Sequence, residues 1–317
     1  MKKNVLVLIP VENKDKQLLE ERAAKVNFIY TSQKDLTINQ VKDANVILGN
    51  PPIEMIRESK KLEWLQLQSA GVGSYVKDDV LQQDVLLTNA SGAYGLAISE
   101  YMLAVLLELY KKNHIYRDNQ LKSNWSNEGS VKSIYNSIVL IVGLGDIGGE
   151  FAKKVKSLGA YTIGIRRKNT NKPDYLDELH FMDELEDLLP RADVVALSLP
   201  GTKLTYKIIN KKRLDLMKND GVLINVGRGN AIDTDDLCAA LEREQILGAA
   251  LDVTDPEPLP KEHKLWKMKN VIITPHVSGG FSLPETQERI IKICAKNIEA
   301  FFKGESLINL VDFSEGY

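Results

Sequence analysis

Ten short apolar runs recur along the 317-residue chain, each three to five residues long and separated from the next by charged, helix-like segments. Short runs rich in Val, Ile and Leu are typical of parallel strands that are covered on both faces. Strands that alternate with helices are typical of an α/β, doubly wound architecture. The sequence therefore predicts this fold class, with strands at residues 5–9, 46–48, 64–67, 85–88, 138–142, 161–165, 194–197, 222–226, 247–251 and 271–274.

Two longer segments divide the strands into groups. Residues 94–114 are nearly continuously apolar, which predicts one long helix buried against more than one surface. Residues 287–303 carry apolar side chains at three- and four-residue spacings, which predicts a second helix. At about 150 residues per domain, the length favours two domains. We expect the chain to cross between them near these helices, so that a domain of residues 99–285 is inserted in a smaller, discontinuous domain of residues 1–98 plus 286–317.

The composition excludes several classes of function. Lys and Arg total 41 against 43 Asp and Glu, and this net charge of −2 excludes a strongly cationic chain that binds nucleic acid through its phosphates. No apolar run reaches the ~18 residues that a membrane span needs. Cys238 and Cys294 are too few for a disulfide framework, and no cluster has metal-ligand spacing. We expect a cytoplasmic protein with two buried, reduced thiols and no metal.

Three glycines, Gly143, Gly145 and Gly148, form a G-x-G-x-x-G pattern between the strand predicted at 138–142 and a helix-like segment. In a dinucleotide site the first glycine permits a tight turn and the second lets the backbone approach a pyrophosphate. The third lets the helix pack close to the strand, and the helix N-terminus offers free N–H groups to the phosphates. In this setting the pattern predicts dinucleotide binding. The alternative is a tight strand–helix turn with no ligand.

The next strand, predicted at 161–165, ends at Arg166 and Arg167. An NAD-binding chain usually places Asp or Glu there to accept hydrogen bonds from the adenosine ribose. A carboxylate would repel a 2′-phosphate, whereas a pair of guanidinium groups would bind it. The sequence therefore predicts that NADP(H) is preferred, with NAD(H) possible. The alternative is that both arginines are solvated surface charges and that the protein uses both cofactors.

Three charged side chains, Arg228, Glu257 and His276, follow three consecutive strands near the end of the predicted sheet. In a doubly wound sheet the carboxyl ends of the strands line the ligand crevice, so these side chains are expected to converge beside a nicotinamide. An imidazole is a natural proton donor near neutral pH, so His276 is the candidate acid. Glu257 would orient that imidazole, and Arg228 could bind a carboxylate and polarise a carbonyl group.

Taken one at a time, these residues have ordinary alternatives. Arg228 fits a surface arginine after a glycine turn, Glu257 a solvated loop acid, and His276 a core histidine held by the backbone. Their joint occurrence after consecutive strands, in one chain with a glycine turn, favours a catalytic site.

With the segment Ser69-Ala70-Gly71-Val72 added, these motifs make the chain resemble the D-isomer-specific 2-hydroxyacid dehydrogenase family over nearly its whole length. The resemblance implies a homodimeric oxidoreductase that transfers a hydride between a nicotinamide cofactor and a small 2-oxo acid or D-2-hydroxy acid. It also implies a Rossmann-type sheet inserted in a smaller, flavodoxin-like substrate domain, the two closing on a cleft. Gly73 stands where the family often has Asp, so this loop departs from the pattern.

The resemblance assigns further residues to binding. Backbone N–H groups of Ala70 and Gly71 would bind the substrate carboxylate together with Arg228 and His276. The residues implied in cofactor binding surround the glycine turn and the ends of the later strands: Gly143, Gly145, Asp146, Ile147, Gly148, Arg166, Arg167, Leu199, Pro200, Thr205, Val226, Gly227, Asp252, His276 and Ser278.

Other functions remain open at this point. A dinucleotide sensor or corepressor can keep the same scaffold without turnover. Phosphoglycerate dehydrogenase is an alternative within the family, although its forms with a C-terminal regulatory domain need a longer chain. Formate dehydrogenases carry Gln where this chain has Glu257, and the Glu–His pair therefore favours 2-hydroxy acids.

Overall fold

The computed structural model describes four stretches of the chain, residues 2–23, 25–167, 170–281 and 283–313. The chain divides into two units. The first is discontinuous and comprises Met1–Tyr94 and Phe281–Tyr317, whereas the second is the continuous segment Gly95–Gly280. The assignment of a substrate function to the first unit and a dinucleotide function to the second stays a prediction.

The first unit begins with alternating strands and helices: β1 (Asn4–Val7), α1 (Asn13–Glu21), β2 (Asn27–Tyr30), α2 (Ile38–Asp43), β3 (Val46–Leu48), α3 (Ile53–Ile56), β4 (Trp64–Gln66) and β5 (Leu86–Thr88). These strands form a five-stranded parallel sheet in the order β2-β1-β3-β4-β5. This is the strand order of a flavodoxin-like sheet, so the predicted topology is confirmed.

The described residues of the second unit form seven strands and six helices, in the chain order α4 (Gly95–Lys111), α5 (Asn113–Leu121), β6 (Ile138–Val142), α6 (Asp146–Ser157), β7 (Tyr161–Ile165), β8 (Glu178–His180), α7 (Leu185–Leu188), β9 (Val194–Leu197), α8 (Lys211–Leu214), β10 (Val222–Asn225), α9 (Thr234–Glu242), β11 (Gly248–Leu251) and β12 (Val271–Ile273). All seven strands are parallel, in the order β12-β11-β10-β9-β6-β7-β8. Counted from β6, this is the Rossmann order with one strand added at the end, as predicted. The chain then returns to the first unit through α10 (Pro284–Lys303).

Two strands were not predicted, and both lie at the edge of a sheet. β2 has the sequence Asn-Phe-Ile-Tyr and is half-exposed, and β8 has the sequence Glu-Leu-His and is also half-exposed. An edge strand has a neighbour on one side only and does not need a run of Val, Ile and Leu. The search for short apolar runs therefore found the interior strands and missed these edges.

The long helix predicted at 94–114 is two helices in the structure. Lys112 has a left-handed backbone with φ +58°, which ends α4 at Lys111, and α5 begins at Asn113. The prediction of a single helix was wrong because apolar spacing does not reveal a change of backbone conformation at one residue. The prediction that α4 is buried on more than one side is confirmed, since it packs against α6 and against β10 and β11.

A buried hydrogen-bond network ties α10 to the sheet of the first unit. Gln66 Oε1 accepts from Thr88 Oγ1 at 2.7 Å and from Asn297 Nδ2 at 2.8 Å, and Trp64 Nε1 donates to Thr88 Oγ1 at 2.8 Å. All four side chains are buried, so each bond satisfies a polar group that water cannot reach. The network fixes β4 and with it the start of the loop that carries Ala70 and Gly71.

The two cysteines are free and buried, as predicted. Burial raises the pKa of Cys238 to about 11 and that of Cys294 to about 12, so both are neutral, unreactive thiols. No helix within the described stretches is long and apolar enough to cross a membrane. Nor do the described side chains include a group of three or more His, Cys, Asp or Glu that is placed to bind a metal ion.

Candidate active site

The site residues predicted in the second unit lie at the carboxyl ends of its strands. The glycine turn follows β6, Leu199 and Pro200 follow β9, and Arg228 follows β10. β6 and β9 are neighbours in the sheet although they are not consecutive strands, and the strand order changes direction between them. Parallel α/β sheets bind ligands at such a switch point, because the loops on either side of it separate.

The turn after β6 requires glycine at its first and third positions. Gly143 has φ +103°, and a Cβ there would lie 2.8 Å from the backbone oxygen of Ser198. A Cβ on Gly148 would lie 2.0 Å from the oxygen of Gly143, which also accepts a hydrogen bond of 2.8 Å from Ser198 Oγ. Strand, turn and helix are therefore in direct backbone contact, as the pattern predicts for a dinucleotide site.

The second glycine of the pattern faces open space. Gly145 precedes α6 as its N-cap and is exposed, and a Cβ there would meet no atom within 4 Å. No side chain caps the helix, since the carboxylate of Asp146 accepts instead from the backbone N–H of Gly95 at 2.6 Å. Asp146 and the half-buried Ile147 form the first turn of the helix. Open space beside Gly145 and an uncapped helix N-terminus fit the pyrophosphate of a dinucleotide.

The loop after β9 is held by Thr205. The Thr205 hydroxyl donates to the oxygen of Pro200 at 2.6 Å and accepts from the backbone N–H of Thr202 at 2.9 Å. Thr205 and Leu199 are both buried. Because the hydroxyl of Thr205 is already engaged within the loop, its contribution to a cofactor site is to shape the loop.

The strand β7 ends where the sequence predicts recognition of the cofactor's ribose. The backbone N–H of Arg166 donates to the oxygen of His180 at 3.2 Å, which fixes the start of its side chain. Arg166 is half-buried, and its Nε is buried without a hydrogen-bond partner among the described residues. A buried guanidinium N–H without a partner fits an anionic ligand group. Arg167 follows it and is exposed.

Arg228 is held between two close backbone contacts. A Cβ on Gly227 would lie 2.5 Å from the oxygen of Leu199, and a Cβ on Gly229 would lie 1.9 Å from the oxygen of Thr254. The buried Asn225 accepts from the N–H of Gly227 at 3.1 Å and donates to the oxygen of Arg228 at 2.9 Å. The loop is therefore fixed on both sides of Arg228.

The guanidinium of Arg228 is a partly desolvated charge. Burial lowers the pKa of Arg228 from its ordinary value, and the nearby charge of Glu257 acts in the opposite direction. Its Nη1 donates to the oxygen of Gly227 at 2.7 Å, and it forms no ion pair within 4 Å with any side chain that the structure describes. A cation in this state is favourably placed to bind a carboxylate.

Glu257 and His276 are in direct contact, as predicted. His276 Nδ1 and Glu257 Oε1 lie 2.6 Å apart, and both side chains are a little under half exposed, at 47% and 42%. This contact leaves His276 Nε2 available for another partner. A carboxylate on Nδ1 sets the orientation of the ring, which is the geometry that an acid–base pair requires.

The loop that carries His276 is anchored on one buried carboxylate. Asp252 Oδ1 accepts from Thr274 Oγ1 at 2.5 Å and from the N–H of Val277 at 2.9 Å, and Oδ2 accepts from both the N–H and the hydroxyl of Ser278. Asp252 is 1% exposed. The resemblance had placed Asp252 and Ser278 near the cofactor, and the structure shows that they also hold the backbone on both sides of His276.

His276 needs this support because its backbone is in a left-handed conformation, with φ +53°. For a residue with a side chain, such a conformation costs about 1–2 kcal/mol and persists only where the surroundings impose it. The N–H of His276 donates to the backbone oxygen of Asp252 at 2.8 Å. Asp252 thus restrains the loop through its main chain and its side chain.

The loop of the first unit that carries Ala70 and Gly71 follows β4 and is fixed by side chains rather than by regular structure. Asn50 Oδ1 accepts from the N–H of Gln68 at 2.9 Å, and Asn50 Nδ2 donates to Ser69 Oγ, which donates to the oxygen of Gly71. The N–H groups of Ala70 and Gly71 donate to no group in the part of the chain that the structure describes. They are therefore available to a ligand.

Three residues that position the site were missed by the sequence analysis. Asn225 was visible in the Asn-Val-Gly-Arg-Gly motif, where a buried Asn at the end of a strand signals a role in bracing the loop. Thr274 belongs to the Thr-Pro-His motif and was noted only as a strand end. Tyr101, whose hydroxyl lies 2.7 Å from Thr274 Oγ1, gives no signal in the sequence, because it is one of many apolar residues of α4.

Comparison with known proteins matches residues 103–278 to the family model described as D-isomer specific 2-hydroxyacid dehydrogenase, NAD binding domain. An uncharacterised protein from the proB 3′ region of Corynebacterium melassecola is 37% identical over 292 residues, covering 88% of this chain and 92% of that protein. The glyoxylate reductase of Thermococcus litoralis is 32% identical over 270 residues, covering 82% of this chain and 80% of that enzyme.

A crystal structure extends the likeness to the whole chain. A D-isomer specific 2-hydroxyacid dehydrogenase family protein from Aeromonas salmonicida is 28% identical and superposes with a TM-score of 0.88. The superposition covers 99% of this chain and 100% of that one.

The anchoring of the His276 loop yields a test by substitution of Asp252→Asn. An amide has one acceptor oxygen in place of two, so its NH₂ group faces donors that the carboxylate satisfied. We expect the loop to lose about 1–3 kcal/mol of local stability. The measurement is the exchange rate of the Val277 and Ser278 amide hydrogens. The control is Asp255→Asn, the same change at an exposed position three residues further along. Equal protection in the two variants would show that the carboxylate does not hold the loop.

Proposed function

The chain belongs to the D-isomer-specific 2-hydroxyacid dehydrogenase family and is an NAD(P)-dependent oxidoreductase, and from this premise we propose that it reduces small 2-oxo acids, such as glyoxylate or hydroxypyruvate, to the D-2-hydroxy acids and also catalyses the reverse reaction. The observation that carries the proposal is the 2.6 Å contact between His276 Nδ1 and Glu257 Oε1 in the unit that also holds the glycine turn and Arg228.

His276 is the proton donor for the carbonyl oxygen. Its Nδ1 is engaged by Glu257, so the proton passes from Nε2 to the oxygen of the 2-oxo group, which becomes the hydroxyl group of the product. Glu257 stabilises the imidazolium before the transfer and keeps the ring oriented. In the direction of oxidation, Nε2 of the neutral ring takes the hydroxyl proton back.

Arg228 binds the substrate carboxylate and polarises the carbonyl group. Its charge is partly desolvated, and the nearby charge of Glu257 raises the pKa of Arg228 against the effect of burial. This interaction supports a position of the guanidinium beside the acid–base pair. A guanidinium that is already fixed through Nη1 can present its other N–H groups without further ordering. The family resemblance also assigns the backbone N–H groups of Ala70 and Gly71 to the substrate carboxylate, and these two groups donate to no other group among the described residues.

The cofactor is bound by the glycine turn and the strand ends of the second unit. Gly145 and the start of α6 would hold the pyrophosphate, and the loops at Leu199 and Val226 would border the nucleotide. Asp252 and Ser278 would lie toward the nicotinamide. When bound, the nicotinamide cofactor supplies or accepts the hydride, which no amino-acid side chain can do.

NADP(H) is the preferred cofactor in this proposal, and NAD(H) is a weaker alternative. The support is the side chain of Arg166 at the end of β7, with a buried Nε that lacks a partner among the described residues. Arg167 adds a second positive charge at the same edge, and Arg166 stands where an acid would otherwise exclude a 2′-phosphate.

The same proposal includes a homodimer in the cytoplasm. Residues 121–135 expose four large apolar side chains, Leu121 at 69%, Trp125 at 104%, Val131 at 52% and Tyr135 at 67%, and a second copy would cover them. Light scattering would then give twice the chain mass of 35.5 kDa, whereas the mass of one chain would refute the dimer. The cytoplasmic location is supported by the two free cysteines, because reducing compartments keep thiols in that state.

A dinucleotide sensor on the same scaffold is the main rival, and the comparisons do not favour it. The family model and the glyoxylate reductase describe enzymes. A sensor also has no need for a left-handed His276 held against a carboxylate, which costs stability. Steady oxidation of the reduced cofactor by glyoxylate would separate the two functions.

The acid–base role predicts the effect of His276→Gln. The amide keeps the polarity of the side chain but cannot deliver a proton, so we expect kcat to fall about 10²–10⁴-fold. The dissociation constant of NADPH, measured by fluorescence titration, should change little. His114→Gln is the control, since this half-buried histidine lies outside the site. Turnover of the His276 variant close to that of the wild type would remove His276 from the mechanism.

The cofactor assignment predicts a higher kcat/KM with NADPH than with NADH. Substitution of Arg166→Ala should lower the ratio of the two values at least about tenfold, because a charge-assisted hydrogen bond to the 2′-phosphate is lost. Arg243→Ala, which removes an exposed arginine of the same unit, is the control and should leave the ratio unchanged. A wild-type preference for NADH would contradict the assignment.

A further inference from the structure

Tyr101 links the helix α4 to the loop that carries His276. Its hydroxyl oxygen lies 2.7 Å from Thr274 Oγ1, and the residue is half-buried on a helix whose buried side chains are mostly apolar. Burial raises the pKa of Tyr101 to about 12, and the contact with Thr274 acts in the opposite direction. The hydroxyl therefore keeps its proton over the pH range in which the protein works, and it is able to donate.

The direction of the hydrogen bonds follows from the end of the chain of contacts. Thr274 Oγ1 lies 2.5 Å from Asp252 Oδ1, and a carboxylate that receives four donors can only accept. Thr274 has one hydroxyl proton, which it must donate to Asp252. The hydrogen bond between Tyr101 and Thr274 therefore has Tyr101 as its donor. The order Tyr101 to Thr274 to Asp252 is the only one in which each hydroxyl uses its single proton once.

This series of hydrogen bonds supports the loop of His276. His276 adopts φ +53°, a strained conformation, and its loop is held by bonds from Thr274 on one side and from Val277 and Ser278 on the other, all ending on Asp252. Polarisation of Thr274 by Tyr101 strengthens the bond that Thr274 makes to the carboxylate. The helix α4 packs against the sheet, and the hydrogen bond from Tyr101 connects the loop of His276 to this helix.

We infer that Tyr101 is a positioning residue for catalysis, which acts through Thr274 and Asp252 to keep the imidazole of His276 where it transfers its proton. This inference rests on the proposed role of His276. Tyr101 itself touches neither substrate nor reacting atoms in this arrangement. Its contribution is to keep the loop of His276 in place, because a displacement of the imidazole by about 1 Å would lower the rate up to ~10²-fold.

The same helix carries a matched control. Tyr110 is a second tyrosine of α4, more deeply buried than Tyr101, and burial raises its pKa to about 12 as well, but its hydroxyl takes no part in the hydrogen bonds to Asp252. Substitution by Phe removes one hydroxyl from the same helix in either case. Any effect of losing a tyrosine hydroxyl on the packing of α4 is therefore present in both variants, and the effect on the loop is confined to Tyr101→Phe.

The first experiment compares the two variants in steady-state kinetics with glyoxylate and NADPH. Tyr101→Phe should lower kcat about tenfold while the KM for NADPH stays unchanged. Tyr110→Phe should match the wild type in both constants. Equal kcat values for Tyr101→Phe and Tyr110→Phe would overturn the inference.

A double-mutant cycle tests the route through Thr274. Thr274→Val removes the hydroxyl at nearly constant volume, and Thr274→Ser retains it. If Tyr101 acts through this hydroxyl, adding Tyr101→Phe to Thr274→Val should lower kcat no further, and the Ser variant should keep most of the activity. Effects of the two substitutions that multiply independently would overturn the inference, because they would show that Tyr101 acts by another route.

Amide hydrogen exchange separates this inference from the proposed function. In Tyr101→Phe the amides of Val277 and Ser278 should exchange at least about fivefold faster than in Tyr110→Phe, the equivalent of one net hydrogen bond. If the wild type reduces no 2-oxo acid, the proposed function fails and the exchange rates alone decide on Tyr101. If the wild type is active, unchanged exchange in Tyr101→Phe overturns the inference and leaves the proposed function standing.

Discussion

The candidate site depends on the close approach of loops at the carboxyl ends of neighbouring strands. At three glycines, Gly143, Gly227 and Gly229, a Cβ would lie 2.8, 2.5 and 1.9 Å from a backbone oxygen of a neighbouring loop. A side chain at Gly227 or Gly229 would force the loops apart. Backbone contact of this kind is what lets the turn after β6, the loop after β9 and the loop of Arg228 stack into one surface. The chemistry of the site is built on groups that this stacking places side by side.

The residues of that surface form two layers, a buried layer that holds the loops and a half-exposed layer that faces solvent. Asp252 and Asn225 are buried and hydrogen-bonded to the loops they hold, whereas Glu257 and His276 remain nearly half exposed. A buried polar group that is fully satisfied stabilises one backbone arrangement, because every alternative leaves it without a partner. In the proposed function, the exposed pair would exchange a proton with a ligand without disturbing the buried residues beneath it. His276 joins the two layers, since its strained backbone belongs to the rigid one and its ring to the open one.

The sequence was informative wherever burial on both faces or a backbone contact restricts the choice of residue. The strands β6, β7 and β9 begin and end where predicted, and the glycine turn has the geometry that its spacing indicates. The edge strands β2 and β8 were not predicted, because they are partly exposed and lack a run of Val, Ile and Leu. Contacts between residues distant in sequence could not be predicted for another reason. Tyr101 and Thr274 are 173 positions apart, and neither segment contains a local pattern that indicates the other. Residues that hold a loop, such as Asn225, are an intermediate case. The sequence motif contains Asn225, but only the structure reveals its hydrogen bond to the loop.

The electrostatic state of Arg228 favours an anionic ligand beside it. Burial lowers the pKa of its guanidinium, which means that the charged form pays for lost hydration while the neutral form does not. Glu257 compensates only in part, since its carboxylate is bonded to His276 and lies open to solvent. An arginine stays protonated under such conditions, so the uncompensated charge persists in the protein without ligand. A carboxylate that binds there recovers interaction energy which a neutral ligand cannot, and it does so with geometry already fixed by the bond from Nη1 to Gly227. In the proposed function, a preference for an acid over a neutral carbonyl compound would follow from how the loop after β10 is packed.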